Sequence, residues 1–542
     1  MLHEEMPSAR NWQTFWTDLL QRSMAPFCCI GVALALVVGH AVLQPLRYPG
    51  RWMDYVQDDT FYYLAVARNL ATGHGSTFNG IVPTNGYHPL WMLCFAAVIW
   101  LRSGLQFVPA FLAFSVWAST LATYVLTYVL FRKNGIPRLV GSSLAVAMAI
   151  YFMHVAENCM EVTLVVPLSL ALMLFLQRGD GWKLRGSSAL KRGICLGLLA
   201  AAVVLSRIDT LILVGLLAGG IGFQSALRRK ISRDHVFGVC LGFLPVVAYF
   251  LSNKWWFHSW LPVSGLAKQL KVDHGFTWRA WHSVSDVAPL QATNLIPIVL
   301  ALCLLPVVWH RLSLGMRAIA PAVLVYPFVY VTILSWCSDW KLWSWYFYML
   351  RPAMTVAIIV LARLPLGANL LRVRPVQVSI VVLCLLRIGV VRWDAQQPEI
   401  VRAALKIRQF ALTHPGVYAM GDRSGSVGFL ISQPVVQTEG LVMDRNFLKT
   451  IALQRPLRDV LADFKVRYYV GSELEPYPGC FQAVEPAQAG PHAPHMQGQF
   501  CEAPIATWTI DGVKTLLFDL HPERSIAASA ATQALPPHQG AL

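Results

Sequence analysis

Apolar residues along this chain gather into long blocks, and the polar residues between them form short connectors. A helix that crosses the hydrocarbon of a bilayer needs about 20 mostly apolar residues, with a usable range near 17–25. Blocks of that kind fall at 24–43, 109–131, 138–155, 160–177, 193–207, 210–225, 235–252, 292–309, 317–336, 348–364 and 375–392. The pattern predicts an α-helical polytopic membrane domain over 1–392 with about 11 spans. Residues 90–101, LWMLCFAAVIWL, are equally apolar but too short for an ordinary span. They read as a juxtamembrane or re-entrant helix, whose backbone satisfies its own hydrogen bonds.

From about 393 the blocks stop and shorter periods take over. RAALKIRQFAL reads as an amphipathic helix, GVYAMGD and PVVQTEG as strands, RDVLADFK as a helix, and VRYYVGS and VKTLLFDL as strands. A small α/β domain is expected over 393–523. Residues 484–500, rich in Pro, Gly and His, read as a loop, and 524–542 as a disordered tail. Cys480 and Cys501 flank that loop, and in an oxidising compartment they either pair or stay free. His492 and His495 lack a framing set of acidic or Cys ligands, so no metal site is expected there.

Composition agrees with the pattern. Charged residues are 13% of the 542, against roughly 25% in soluble globular proteins. The net charge of +16 would suggest nucleic acid in a soluble chain. Here the basic residues cluster in the connectors, as the positive-inside rule expects, so nucleic acid is not an expected partner. Arg132, Lys133 and Arg138 share one connector, Arg228, Arg229, Lys230 and Arg233 another, and Arg363, Arg372 and Arg374 a third. These belong on the cytoplasmic side, with the N-terminus. The first outer loop is then 44–108, and the tail from 393 is also outside. A bacterial inner membrane, with the site facing the periplasm or exterior, is the expected location.

The acidic and Gly-rich segments fall almost wholly on that outer side. The loop 44–108 carries Asp58-Asp59-Thr60-Phe61-Tyr62-Tyr63, then Arg68-Asn69, Gly73-His74-Gly75, Phe78-Asn79-Gly80 and Thr84-Asn85-Gly86-Tyr87-His88-Pro89-Leu90-Trp91. An Asp at a helix start caps free N–H groups and suits the helix dipole. That accounts for one carboxylate better than for two, because adjacent residues on a helix point about 100° apart. The second is free to point into a cavity. A poorly solvated carboxylate has a raised pKa and serves as a general base.

These residues resemble the first outer loop of the GT-C glycosyltransferases, and the likeness is nearest to an arabinofuranosyl- and mannosyltransferase-like subgroup. Asn158-Cys159-Met160-Glu161 resembles that family's Gly-Met-Glu segment, with Cys159 where Gly is expected. Leu205-Ser206-Arg207-Ile208-Asp209 resembles Leu-x-Arg-Pro-Asp/Glu, with Ile208 for Pro. Leu261-Pro262-Val263-Ser264 through Lys268, Trp345-Tyr346 through Pro352, Gly421 through Gly425, and Glu439 through Asp444 extend the match. Asn85 departs from it, standing where Glu is expected before Gly86-Tyr87.

The resemblance implies an integral membrane enzyme that takes a sugar from a polyprenyl-phosphate donor to an acceptor hydroxyl on a glycan, lipid or protein, with inversion at the anomeric carbon. Such a reaction needs a base and positive charge where the phosphate departs. Asp58 or Asp59 is the candidate base. Arg68, Arg207 and Lys268 are candidates for the donor phosphate, and His88, Glu161, Asp209 and Tyr346 for substrate contacts. Asp58 and Asp59 also offer oxygen ligands for a divalent cation. A transporter or flippase of lipid-linked glycans is the alternative, but it would carry ionisable residues in mid-span. A non-catalytic assembly subunit is the third reading.

Overall fold

The computed structural model describes residues 24–101, 104–177, 186–228, 232–273, 275–286, 289–472 and 474–521. Among them, eight helices are long and apolar enough to cross a membrane: Ala25–Leu46, Leu105–Lys133, Arg138–Ala156, Gly186–Ser206, Arg233–Phe257, Thr293–Arg311, Leu314–Cys337 and Ser344–Ala362. The chain is a multi-pass membrane protein. The blocks expected at 160–177, 210–225 and 375–392 are also helical, as Val162–Gln177, Leu211–Arg228 and Arg374–Gly389. They sit at the short end of the spanning range, and Val162–Gln177 carries Pro167 in its interior. The segment 90–101 forms the helix Pro89–Leu101, about 20 Å long at 1.5 Å per residue.

Close helix packing has a local cause at one pair. Gly193 and Gly197 on the helix Gly186–Ser206 face Gly238 and Gly242 on Arg233–Phe257. A Cβ at any of the four would run into the partner's backbone, at the carbonyls of His235, Val239, Leu190 and Ile194 respectively. Lipid gives apolar helices no hydrophobic reason to associate. Small residues four apart let the backbones approach and recover the energy as van der Waals contact.

The connectors sort to the two ends of this bundle. At one end Arg132 donates to the Ile136 carbonyl at 2.6 Å and Arg311 to that of Arg363 at 3.2 Å. At the other, the segments around 57, 158 and 393–397 are tied together. Gln57 donates to Asn158 (3.3 Å) and Gln396 (3.0 Å), and the Trp393 indole donates to the carbonyls of Tyr55 and Glu157.

The C-terminal region holds the strands β1 (Val417–Met420), β2 (Val435–Gln437), β3 (Val466–Ser472), β4 (Glu475–Tyr477), β5 (Cys480–Glu485), β6 (Met496–Phe500), β7 (Ala506–Ile510) and β8 (Val513–Asp519). Five form a sheet in the order β2-β1-β3-β8-β7, with β1 parallel to β2 and β3 and the other pairs antiparallel. The remaining three form β4-β5-β6. One expectation is corrected here. Residues 484–500 are not all loop, because Met496–Phe500 pairs antiparallel with Cys480–Glu485. Met496 and Phe500 are fully buried while Gln497 and Gln499 are exposed, a two-residue period hidden by the Pro- and Gly-rich stretch before it. Cys480 and Cys501 are joined in a disulfide. The tail expected to be disordered, 524–542, lies outside the described residues.

Candidate active site

The helix Asp58–Ala71 starts the site. Its two leading carboxylates have separate fates. Asp58 is buried, and both its oxygens accept backbone N–H bonds, from Gly425 and Ser426, each at 2.8 Å. Those amides begin the helix Ser424–Leu430 of the C-terminal region. Asp58 therefore caps a helix that lies 367 positions away in the chain. Asp59 turns the other way, into a cavity of about 60 Å³ that it shares with Tyr63, His88, Glu161, Arg207 and Lys268. Burial pushes the Asp59 carboxyl up to about 6, against the pull of the Lys268 charge.

On the facing wall, Lys268 closes the short helix Val263–Lys268. Its ammonium donates to the Tyr346 hydroxyl and lies 5.1 Å from that ring's centre. Burial opposes its charge, but Tyr346 and Asp59 hold its pKa above the ordinary value. Arg207 follows the span Gly186–Ser206. It pairs with Glu161, donates to Asp209 at 2.9 Å, and lies over the Tyr346 and Tyr348 rings at 4.8 and 5.0 Å. Asp209 also accepts from Tyr330 (2.8 Å) and Tyr348 (2.9 Å). Glu161, wholly buried, accepts a second contact from Tyr63 at 2.8 Å.

His88 completes that wall. Its Nδ1 accepts from the Ile208 amide at 3.3 Å, so a neutral ring carries its proton on Nε2, which points at Glu161 from 3.7 Å. Burial lowers the His88 pKa, favouring that neutral ring. Two of the three departures from the family pattern have a local reason, and the third, Cys159, does not. Ile208 supplies an N–H that Pro lacks. Asn85 accepts from Val263 N (3.0 Å) and donates to Leu261 O (3.4 Å), and a carboxylate is unable to donate. Cys159 adopts φ +58, the left-handed region where Gly is at ease.

Of the residues expected from sequence, Asp59, His88, Glu161, Arg207, Lys268 and Tyr346 line the one cavity. Asp209 stands behind Arg207 as its ion-pair partner. Arg68 lies elsewhere: it donates to the Phe429 carbonyl at 2.9 Å and stacks on that ring. Asp58 has both oxygens engaged by the Gly425 and Ser426 amides and is not among the residues lining that cavity. Among the described residues no three His, Cys, Asp or Glu side chains are grouped to hold a metal. Sequence reasoning missed Tyr63, Tyr330 and Tyr348, the last two hidden in apolar blocks where Tyr reads as an interface residue. It also missed Glu485, which is buried beside Tyr469 (3.2 Å) and pushed up to about 7 by burial and by Asp422. Burial likewise raises Glu439 well above the usual range. No sequence signal marks Glu485.

No family model and no curated protein matches the chain. Several solved structures do. The structure of ArnT from Cupriavidus metallidurans bound to undecaprenyl phosphate is 12% identical, with a TM-score of 0.48, over 84% of this chain and 94% of that one. The oligosaccharyltransferase AglB of Archaeoglobus fulgidus, in complex with an inhibitory peptide and a dolichol-phosphate, is 10% identical (TM-score 0.46), over 85% of this chain and 70% of that one. The mycobacterial arabinofuranosyltransferase AftD is 14% identical (TM-score 0.43), over 91% of this chain and 40% of that one. The likeness to each spans most of this chain at low identity.

Proposed function

We propose that the chain is a membrane glycosyltransferase that moves a sugar from a polyprenyl-phosphate donor to an acceptor hydroxyl, at the outer face of a bacterial inner membrane. One observation carries this reading: a carboxylate with a pKa of about 6 faces a half-buried ammonium and a buried guanidinium across one small cavity. Such a cavity suits a reaction that withdraws a proton on one side and releases an anion on the other.

Asp59, mostly ionised at neutral pH, takes the proton of the acceptor hydroxyl. The hydroxyl oxygen attacks the anomeric carbon as the bond to the phosphate oxygen breaks, which inverts that centre. The departing phosphate takes the electron pair. Lys268 is its principal partner, because its ammonium has three donors and Tyr346 occupies one. Arg207, with its Nε–H held by Asp209 and one Nη1 hydrogen by Glu161, keeps further N–H groups and is the second partner. Asp58 is assigned to docking the C-terminal region over the cavity.

The test is turnover by the purified full chain. Polyprenyl-phosphate arabinofuranose, mannose and glucose are supplied with a membrane glycan extract as acceptor. Transfer by the wild type and its loss in Asp59→Asn support the reading. Undiminished transfer in a folded Asp59→Asn protein overturns it.

A further inference from the structure

A second cavity, of about 300 Å³, lies back to back with the first. Three chain segments form the wall between them. Asn85, Val263 and Met443 line the second cavity, while their neighbours Gly86, Ser264 and Val442 line the first. Another part of the lining is Trp256–Ser259, where the span Arg233–Phe257 ends. Trp255 and Trp256 there are 79% and 68% exposed, the placement Trp takes at a membrane–water boundary. The cavity therefore sits at the depth of lipid headgroups.

Its charge is lopsided. Arg445 and Lys449 are four apart on the helix Arg445–Ala452 and share one face. Arg445 donates to the His258 carbonyl at 2.8 Å, which holds its guanidinium at the cavity while leaving further N–H groups. Lys449 spends one donor on Asn446. The single carboxylate in the lining, Asp444, caps that helix by accepting from Phe447 N at 2.8 Å. Phe257, Val263, Leu266 and Met443 make one part of the wall apolar, beside the polar Asn85 and Ser259. Two cations over a partly apolar, membrane-level recess complement an amphiphile with an anionic head.

We propose that this cavity binds the phosphate headgroup of a membrane lipid, with Arg445 and Lys449 on the phosphate and the chains toward the bilayer. The site needs nothing from the chemistry of the neighbouring cavity, and its test reads lipid retention rather than turnover.

The full chain, purified in mild detergent, is incubated with phosphatidylglycerol, phosphatidylcholine or inorganic phosphate and examined by native mass spectrometry. Phosphatidylglycerol should be retained well above phosphatidylcholine. Lys449→Glu, at an exposed position that the fold tolerates, should weaken retention by about tenfold or more, as expected for a lost charge-assisted contact. Arg445→Ala with Lys449→Ala should remove it. Inorganic phosphate should not compete at equal concentration. Equal retention of the two lipids, unaltered retention in Lys449→Glu, no retained lipid, or displacement by inorganic phosphate each overturns the proposal.

Discussion

Replacing Asp59 by Asn should move activity and stability in opposite directions. The carboxyl titrates near 6 in the fold, against an ordinary 3.8, because it is desolvated there. Below 3.8 the folded and unfolded chains both hold the proton. Between 3.8 and 6 the unfolded chain ionises first, so stability falls as pH rises and stays lower above 6. At 1.36 kcal/mol per unit, that cost at pH 7 is about 3 kcal/mol. Asn does not ionise and removes the cost, but it leaves Lys268 without a facing negative charge. The net gain at pH 7 should be about 1–3 kcal/mol. The same change removes the base, and general-base catalysis contributes about 10²–10⁴-fold. Wild-type kcat/KM should rise with pH through about 6, the value at which Asp59 loses its proton. Thermal unfolding of both proteins at pH 5 and pH 7.5, beside the rate–pH profile, reads all three effects. If Asp59→Asn melts lower than wild type at pH 7.5, the carboxylate is not desolvated; if it keeps its transfer rate within a factor of ten, the carboxylate is not the base.

Three further outcomes are expected. Gly425→Ala places a Cβ against the Asp58 carbonyl and carboxylate, so it should destabilise the docked C-terminal region by about 1–3 kcal/mol; limited proteolysis near 423–426 no faster than in wild type would contradict this. Reducing the Cys480–Cys501 bridge, which spans 21 positions, should cost about 3 kcal/mol, read as a lower melting midpoint with reductant that Cys480→Ser with Cys501→Ser reproduces. In an otherwise cysteine-free chain, Ser285→Cys should react with a membrane-impermeant thiol reagent added outside intact cells and Ser187→Cys should not; the reverse pattern would invert the orientation.

Hydropathy along the chain was enough to locate the helices. Burial of a 20-residue apolar block is a local property, and all eleven blocks read from sequence are helical. The short block 90–101 is the helix Pro89–Leu101, and Arg311 and Arg363 meet near the Arg132–Gly135 turn at one end of the bundle. The resemblance of short motifs, rather than hydropathy, put forward Asp58 or Asp59 with Arg68, His88, Glu161, Arg207, Asp209, Lys268 and Tyr346 as candidates.

Only the tertiary structure separated Asp58 from Asp59. The two are adjacent and chemically identical, and what distinguishes them is a pair of amides 367 and 368 positions away. Contact alone likewise took Arg68 out of the cavity to Phe429, brought Tyr330 and Tyr348 to Asp209, and buried Glu485 beside Tyr469. Periodicity and composition report how a residue sits on its own helix or strand. A pKa or a hydrogen bond depends on which distant segment arrives beside it, and that is decided by packing.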